Sequence, residues 1–590
     1  MALNETFKTT VKALRKFHIF LSTMAIFAVL YDLGFPHATR DDFWLNIIYV
    51  LTLSAAIFSI LSRYYGTHIK PKFKVLLFDL LSVALFVFVL NDFIQVFKIP
   101  GIAIFFEGEN WRVFAMFLVF VREVAAQKID FKRTVLNPAQ LFIVSFLTII
   151  LLGALVLMLP KATYSGISFV DAIFTSTSAV CVTGLIVVDT GTYFTHFGQI
   201  ALLIFIQLGG LGIMTFASYF SYFFQGGSSY ENQLALSDMN NYDKLGEVFN
   251  TLKRIILITF FIEAAGAIAV YYTINPIAIP DASDRTFFAI FHAISGFCNA
   301  GFSTLENSMY DPAFRFNYPL HLILAGLYMI GGLGFPIVFN IASYLKHLVV
   351  KWIGRLISQR KGFSRPWVIN LNTRIVLITT AILTVGSTAL IYWLEYDNTL
   401  AEHSKVGKLL TAFFNATTTR TAGFNSIDMS QMHLSTIMIF LLMMWIGASP
   451  ASTGGGIKTS TIAIASLNFI SLARGKDRIE IYRREIADIS VRRAFAIISL
   501  SLIIIGIAIC ILVSIEPDMQ LKEVAFECFS AYSTVGLSLG VTAKFGVVSK
   551  IVLMIVMFIG RVSMLSILIA VMKNVRYKNY RYPSESILIN

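Results

Sequence analysis

The residues in this chain best suited to chemistry are glycines, and the chemistry open to them is coordination by the main chain. Four stretches, DAIFTSTSAVCVTGL, FFAIFHAISGFCNAGF, LLTAFFNATTTRTAGF and EVAFECFSAYSTVGL, each close on a glycine followed by Leu or Phe. Aligned on Gly184, Gly301, Gly423 and Gly536, they put Phe174, Phe291, Phe413 and Phe526 ten positions earlier and Ser178, Ser295, Thr417 and Ser530 six positions earlier. Leu185, Phe302, Phe424 and Leu537 stand one position later. Agreement at so many positions marks an internal repeat of about 115 residues. An extended segment around such a glycine can turn carbonyl oxygens toward one axis, because glycine has no side chain to crowd an ion and tolerates backbone angles that other residues avoid. Four of them around one axis could replace the hydration shell of a dehydrated cation.

The residues expected to do so are Val182, Thr183 and Gly184; Asn299, Ala300 and Gly301; Thr421, Ala422 and Gly423; and Thr534, Val535 and Gly536. None supplies the ring of Asp or Glu that a pore selecting by side-chain charge requires, which favours selection by carbonyls. The last trio is close to the Thr-Val-Gly pattern of potassium-channel filters, so K+ at these residues is the expected bound ion, with no organic cofactor.

Segments of this kind need a surrounding scaffold, and the composition says where it lies. The 590 residues are 56% hydrophobic and 14% charged, with mean hydropathy +0.73, far more apolar than a soluble fold requires. Apolar runs long enough to cross about 30 Å of hydrocarbon as helices fall near 17–33, 44–62, 75–95, 111–127, 138–159, 198–224, 253–274, 318–345, 371–394, 432–472, 494–515 and 547–574. The fold class expected is an all-α integral membrane protein: four repeats of helix, re-entrant pore loop and helix around a pseudo-four-fold pore, preceded by a four-helix membrane domain. Its parts are an accessory domain, 1–134, and pore repeats at 135–228, 229–350, 351–475 and 476–590, the last with the C-terminal tail.

With the N-terminus inside, nearly every inside loop is basic, for example Arg63, Lys70, Lys72 and Lys74, or Arg474, Lys476, Arg478, Arg483 and Arg484. That satisfies the positive-inside rule with both termini cytoplasmic, and it accounts for the net charge of +13 without a nucleic-acid partner. The exception is the loop at 225–250, which is polar and mildly acidic. The apolar stretch at Phe17–Leu33 lacks a cleavage site and reads as a retained first helix.

From about residue 135 to 590 the sequence resembles the Trk/Ktr/HKT superfamily of potassium transporters, nearest to bacterial Ktr and Trk membrane subunits. The motifs are Gln207-Leu208-Gly209-Gly210-Leu211-Gly212, Gly331-Gly332-Leu333-Gly334, the run GASPASTGGGIK from Gly447 to Lys458, and Gly560-Arg561. In that family a serine replacing the first filter glycine goes with sodium preference, so four glycines imply potassium. The run Gly447, Ala448, Ser449, Pro450, Ala451, Ser452, Thr453, Gly454, Gly455, Gly456, with Lys458 following, breaks a long apolar helix and should form an irregular loop facing the cavity below the filter. The resemblance implies that this loop is a gate and that Arg561, a costly intramembrane charge, stands near it. It also implies potassium uptake across the plasma membrane (the bacterial inner membrane), a homodimer embedded in membrane lipid, and cytoplasmic nucleotide-binding regulatory subunits of the RCK/KTN type.

The alternative is a sodium-selective or sodium-coupled cation transporter of the same fold. An enzyme is not expected, since no nucleotide fingerprint or acid and base constellation is present. Cys181, Cys298, Cys510 and Cys528 have no metal-ligand spacing. His292 and Glu527, both nine positions before their glycines where Thr175 and Phe414 stand in the other repeats, read as groups on the back of a pore helix. Arg420 is expected to brace the third filter from behind. Arg112 and Arg122 alone on the fourth helix do not make a voltage sensor.

Overall fold

The computed structural model describes residues 2–36, 39–64, 73–94, 109–125, 138–212, 248–357, 369–562 and 567–568. Almost every element in them is α-helical. The one sheet among them is a hairpin of two residues per strand, Glu480–Ile481 against Arg484–Glu485.

Helices α1 (Ala2–Gly34), α2 (Thr39–Tyr64), α3 (Phe73–Ile94) and α4 (Glu109–Ala125) form an N-terminal bundle. Its core packs Leu53, Phe86, Ala115 and Met116. Charges inside such a bundle need partners, because hydrocarbon offers no water to solvate them. Arg122 and Asp79, 1% and 2% exposed, pair at 3.3 Å, and Ser59 donates to Glu123 at 3.0 Å.

The remaining helices fall into four groups. Each opens with a long apolar helix: α5 (Pro138–Leu157), α8 (Val248–Thr273), α12 (Leu371–Leu394) and α16 (Asp488–Ile515). A short helix follows: α6 (Phe169–Val180), α9 (Ala282–Phe297), α13 (Lys405–Thr418) and α17 (Leu521–Ser533). These have 12, 16, 14 and 13 residues, so at about 1.5 Å per residue they cannot cross the bilayer. Each starts sharply at a cap. Ser168 accepts from Asp171 N, Asp281 from Ser283 N and Ser404 from Gly407 N, while Gln520 and Glu523 form a capping box.

The groups end in α7 (His196–Leu211), in the pair α10 (Tyr318–Leu333) and α11 (Phe335–Ile357), in the pair α14 (Leu434–Trp445) and α15 (Thr459–Ala473), and in α18 (Val547–Val562). Among the described residues only α1, α2, α8, α12 and α16 contain a single run long and apolar enough to cross alone, and α10 with α11 qualify as one span bent by 107°. Hydropathy continues through Gly212 and Gly334, but α7 and α10 end there, because both glycines have positive φ, 76° and 83°, a conformation that ends a helix. The expected spans at 198–224 and 547–574 run beyond the described residues.

The four groups close into a ring. Phe291, Ala300 and Phe302 of the second pack in the core of the first, with Leu202 and Phe205. Phe414, Ala422 and Phe424 of the third pack in the core of the second, and Phe526, Val535 and Leu537 of the fourth in the core of the third. Phe174 and Leu185 of the first complete the circle in the core of the fourth. The same seam carries the ion pair Lys550–Asp171 at 2.6 Å.

Candidate ion-conducting site

The short helices aim their C-terminal ends at the middle of this ring, and the chain then turns back as a glycine strand. At each turn two residues take the left-handed conformation: Val182 and Gly184 (φ 56° and 87°), Asn299 and Gly301 (60° and 69°), Thr421 and Gly423 (75° and 84°), Thr534 and Gly536 (50° and 87°). Three of these turns share one closing bond, Thr183 N to Ser178 O, Ala300 N to Ser295 O and Val535 N to Ser530 O, at 2.7–2.9 Å.

The glycines meet. A Cβ on Gly184 would collide with the carbonyl oxygen of Ala300, one on Gly301 with that of Ala422, one on Gly423 with that of Val535 and one on Gly536 with that of Thr183. The contacts run in chain order and return to the start, so the oxygen preceding each glycine stands against the glycine of the repeat before it. Any side chain at these positions would enter the ring, which is the physical reason for glycine in all four.

The third turn differs, and it corrects the alignment. Ser178 and Ser295 stand six positions before Gly184 and Gly301, whereas Thr418 stands five before Gly423. Thr418 Oγ1 donates to Phe424 O at 2.8 Å, as Ser295 Oγ does to Phe302 O at 2.7 Å. The third repeat therefore has one residue fewer between the pore helix and its glycine. The equivalents of Phe174 and Ser178 in this repeat are Phe414 and Thr418, not Phe413 and Thr417; Phe414 is 1% exposed, like the other three ring phenylalanines. Counting back from the glycine could not detect a deletion between helix and glycine.

The same shift settles the polar groups behind the ring. His292 Nε2 lies 2.9 Å from Ser303 Oγ, Asn415 Nδ2 donates to Ser426 Oγ at 2.9 Å, and Ser538 Oγ donates to Glu527 Oε1 at 2.5 Å. Each ties a pore helix to the strand leaving the ring. Asn415, which the sequence reading passed over, is the third member in place of Phe414. Arg420 does not brace its strand: its guanidinium reaches Thr380 Oγ1 at 3.5 Å in a cleft lined by Tyr328, Gly332 and Ala448.

Below the ring lies the loop from Gly447 to Lys458. Its neck is closed by pairing of Ile446 with Ile457, and Lys458 Nζ folds back to donate to Gly454 O at 2.6 Å. The loop backbone bonds along the end of α10: Ser449 N to Gly332 O at 2.9 Å, Thr453 N to Gly331 O at 3.4 Å and Phe335 N to Ala451 O at 3.2 Å. The Gly331–Gly334 motif is thus the cradle of the loop, a role its sequence alone did not declare.

Arg561 donates to Thr453 O and, at 2.5 Å, to Gly209 O. Gly560 before it lies so close to Tyr532 O that a Cβ would collide, as would one on Gly209 with Val180 O and one on Gly331 with Phe297 O. Arg561 therefore fills the position held by Gly210 and Gly332 in the first and second repeats.

Four glycine turns meeting at the centre of a scaffold of long apolar helices define the class, a multi-pass membrane protein. The comparisons with known proteins give the family. Residues 110–580 match the family model described as TrkH, cation transport protein. The Ktr system potassium uptake protein B of Bacillus subtilis is 34% identical over 457 residues, which is 76% of this chain and 96% of that protein. The potassium/sodium uptake protein NtpJ of Enterococcus hirae is 33% identical over 467 residues, 78% of this chain and 98% of that protein. In fold, the chain is similar to the crystal structure of the potassium transporter TrkH from Vibrio parahaemolyticus, with TM-score 0.58 and 18% identity over 84% of this chain and 97% of that one. The chain belongs to the TrkH cation transport family. The family match begins at residue 110 and so takes in α4, although α4 packs with the N-terminal bundle.

Proposed function

We propose that this protein takes up K+ through a carbonyl selectivity filter gated by the loop 447–458. The observation that carries the reading is the closed circle of glycine and carbonyl contacts, Gly184 to Ala300, Gly301 to Ala422, Gly423 to Val535 and Gly536 to Thr183. Carbonyls at one axis, with no carboxylate among the twelve residues of the four strands, can replace the water around a monovalent cation. The pore-helix C-termini add their negative dipole ends. In this reading residues 1–134 are an accessory domain, and 135–228, 229–350, 351–475 and 476–590 are the four pore repeats.

The loop is the gate, and Lys458 and Arg561 hold it closed beneath the filter. Two chains form the assembly in the plasma membrane, both termini face the cytoplasm, and the basic inner segments around Arg474–Arg493 dock cytoplasmic nucleotide-binding regulatory subunits. Names such as Ktr system potassium uptake protein B support K+ as cargo. The name of NtpJ, potassium/sodium uptake protein, keeps a second reading in view, in which Na+ also passes.

The test is growth of a potassium-uptake-deficient bacterium carrying the parent chain, Gly184→Ser, or a deletion of 451–456, with isotope flux for each cation. The serine variant should discriminate less against Na+, and the deletion should leak. Unchanged growth and ion preference in both would reject filter and gate alike.

A further inference from the structure

Three consecutive loop residues each meet a different repeat at the inner end of the glycine ring. Thr453 Oγ1 stands 3.1 Å from the side-chain amide of Asn299 in the second repeat. A Cβ on Gly454 would collide with Thr421 Oγ1 of the third, and one on Gly455 with Thr534 Oγ1 of the fourth. Asn299, Thr421 and Thr534 occupy the same register, two residues before their glycines. In the first repeat that register holds Val182, which offers no polar atom.

All four groups that meet here, Asn299, Thr421, Thr534 and Thr453, have 0% exposure. Asn299 is satisfied with its nitrogen toward Thr453 Oγ1 and Phe297 O and its oxygen accepting from Thr421 Oγ1 at 3.0 Å. Thr534 Oγ1 is not satisfied: it is buried with no hydrogen-bond partner, directly against Gly455. A buried hydroxyl at the end of a carbonyl pore with nothing to bond is a position that favours a cation over a glycine.

We propose that the loop and the innermost pore cation are rival occupants of the side chains of Asn299, Thr421 and Thr534, so that a monovalent cation arriving there displaces the loop. This rests on the filter reading above and adds that the gate is released by its own cargo. With the loop docked, Thr453, Gly454 and Gly455 fill the space that a cation bonded to these three side chains would need. Two ligands that exclude each other are linked, and each weakens the other by the same factor. Thr453 is the hub of the docked state, since Asn299 holds its hydroxyl and Arg561 its carbonyl. Val182 leaves the first repeat without a hold, so the latch is one-sided.

The measurement is hydrogen exchange at the loop amides in the full chain in proteoliposomes, in KCl and in choline chloride of equal ionic strength. Ser449 N and Thr453 N, protected by Gly332 O and Gly331 O, should exchange about fivefold faster in KCl, the low end of ordinary coupling between sites. Thr453→Val, which keeps the shape and removes the hydroxyl, should exchange fast in both salts. Asn299→Gly, which keeps the left-handed backbone free of strain, should do the same. Equal rates in the two salts for the parent chain, while Gly184→Ser loses sodium discrimination, would overturn the latch and leave the filter standing. Equal rates with discrimination intact in Gly184→Ser would overturn both.

Discussion

On the filter and gate reading proposed above, the outer and inner halves of the pore are built on opposite plans. At and above the glycine ring the four repeats act alike: each sends its pore-helix phenylalanine into its neighbour's core and one carbonyl against its neighbour's glycine. Below the ring every device exists once. The loop comes from the third repeat, its cradle from the second, Arg561 from the fourth, and Val182 leaves the first without a polar group. A spherical ion asks for equal arms, so duplication serves recognition. A gate asks for one arm that can let go, and that cannot be had from four identical ones.

The equality of the outer half is the part most open to attack. Phe414 is the buried ring residue, its ring tilted against that of His321 with centroids 4.8 Å apart, and its carbonyl accepts from Tyr328 Oη at 3.1 Å, while Phe413 is only partly buried at the edge of the same core. Phe414→Ala should cost about 2–3 kcal/mol, the cavity part of a Phe deletion, because lipid is as apolar as the core and no transfer part is added. Phe413→Ala should cost less than half of that. Thermal unfolding of the two variants in one detergent measures the difference, and a larger loss at Phe413 would restore the ungapped register.

That register also shows what the sequence could carry. The four glycines, their apolar followers and the irregular loop were legible because each is a departure from helical hydropathy at a fixed place. The deletion after α13 was not, since Phe413 and Phe414, and Thr417 and Thr418, are neighbours of the same kind. The breaks at Gly212 and Gly334 were hidden because apolar residues continue on both sides. Asn299 looked like one more strand residue, and its link to Thr453 spans 154 positions, beyond the reach of any local pattern.

The single-copy inner half predicts a gain instead of a loss. Arg561→Gln removes the guanidinium that joins Thr453 O to Gly209 O, leaving the loop held by α10 and Asn299. Rubidium uptake into proteoliposomes should rise about tenfold, equivalent to about 1.4 kcal/mol, with the sodium to potassium ratio unchanged. Altered selectivity would mean that Arg561 supports the ring itself, and the division between the two halves would fail.

The smallest effect belongs to the seam between the fourth and first repeats. The other three neighbouring pairs are joined by the chain itself, so their association is intramolecular through a short tether. Here the polypeptide must go round the whole ring, and among the described residues Lys550–Asp171 is the ion pair across the gap, its side chains 13% and 23% exposed. Lys550→Met should lower stability by about 1 kcal/mol or less, since an ion pair near water gains little after desolvation. Arg315→Met provides the comparison, because its partner Glu402 is 61% exposed and the repeats on either side are covalently linked. A melting temperature reduced more by Lys550→Met than by Arg315→Met would mark the fourth and first repeats as the pair where the ring first opens; the reverse order would assign that weakness to the second and third.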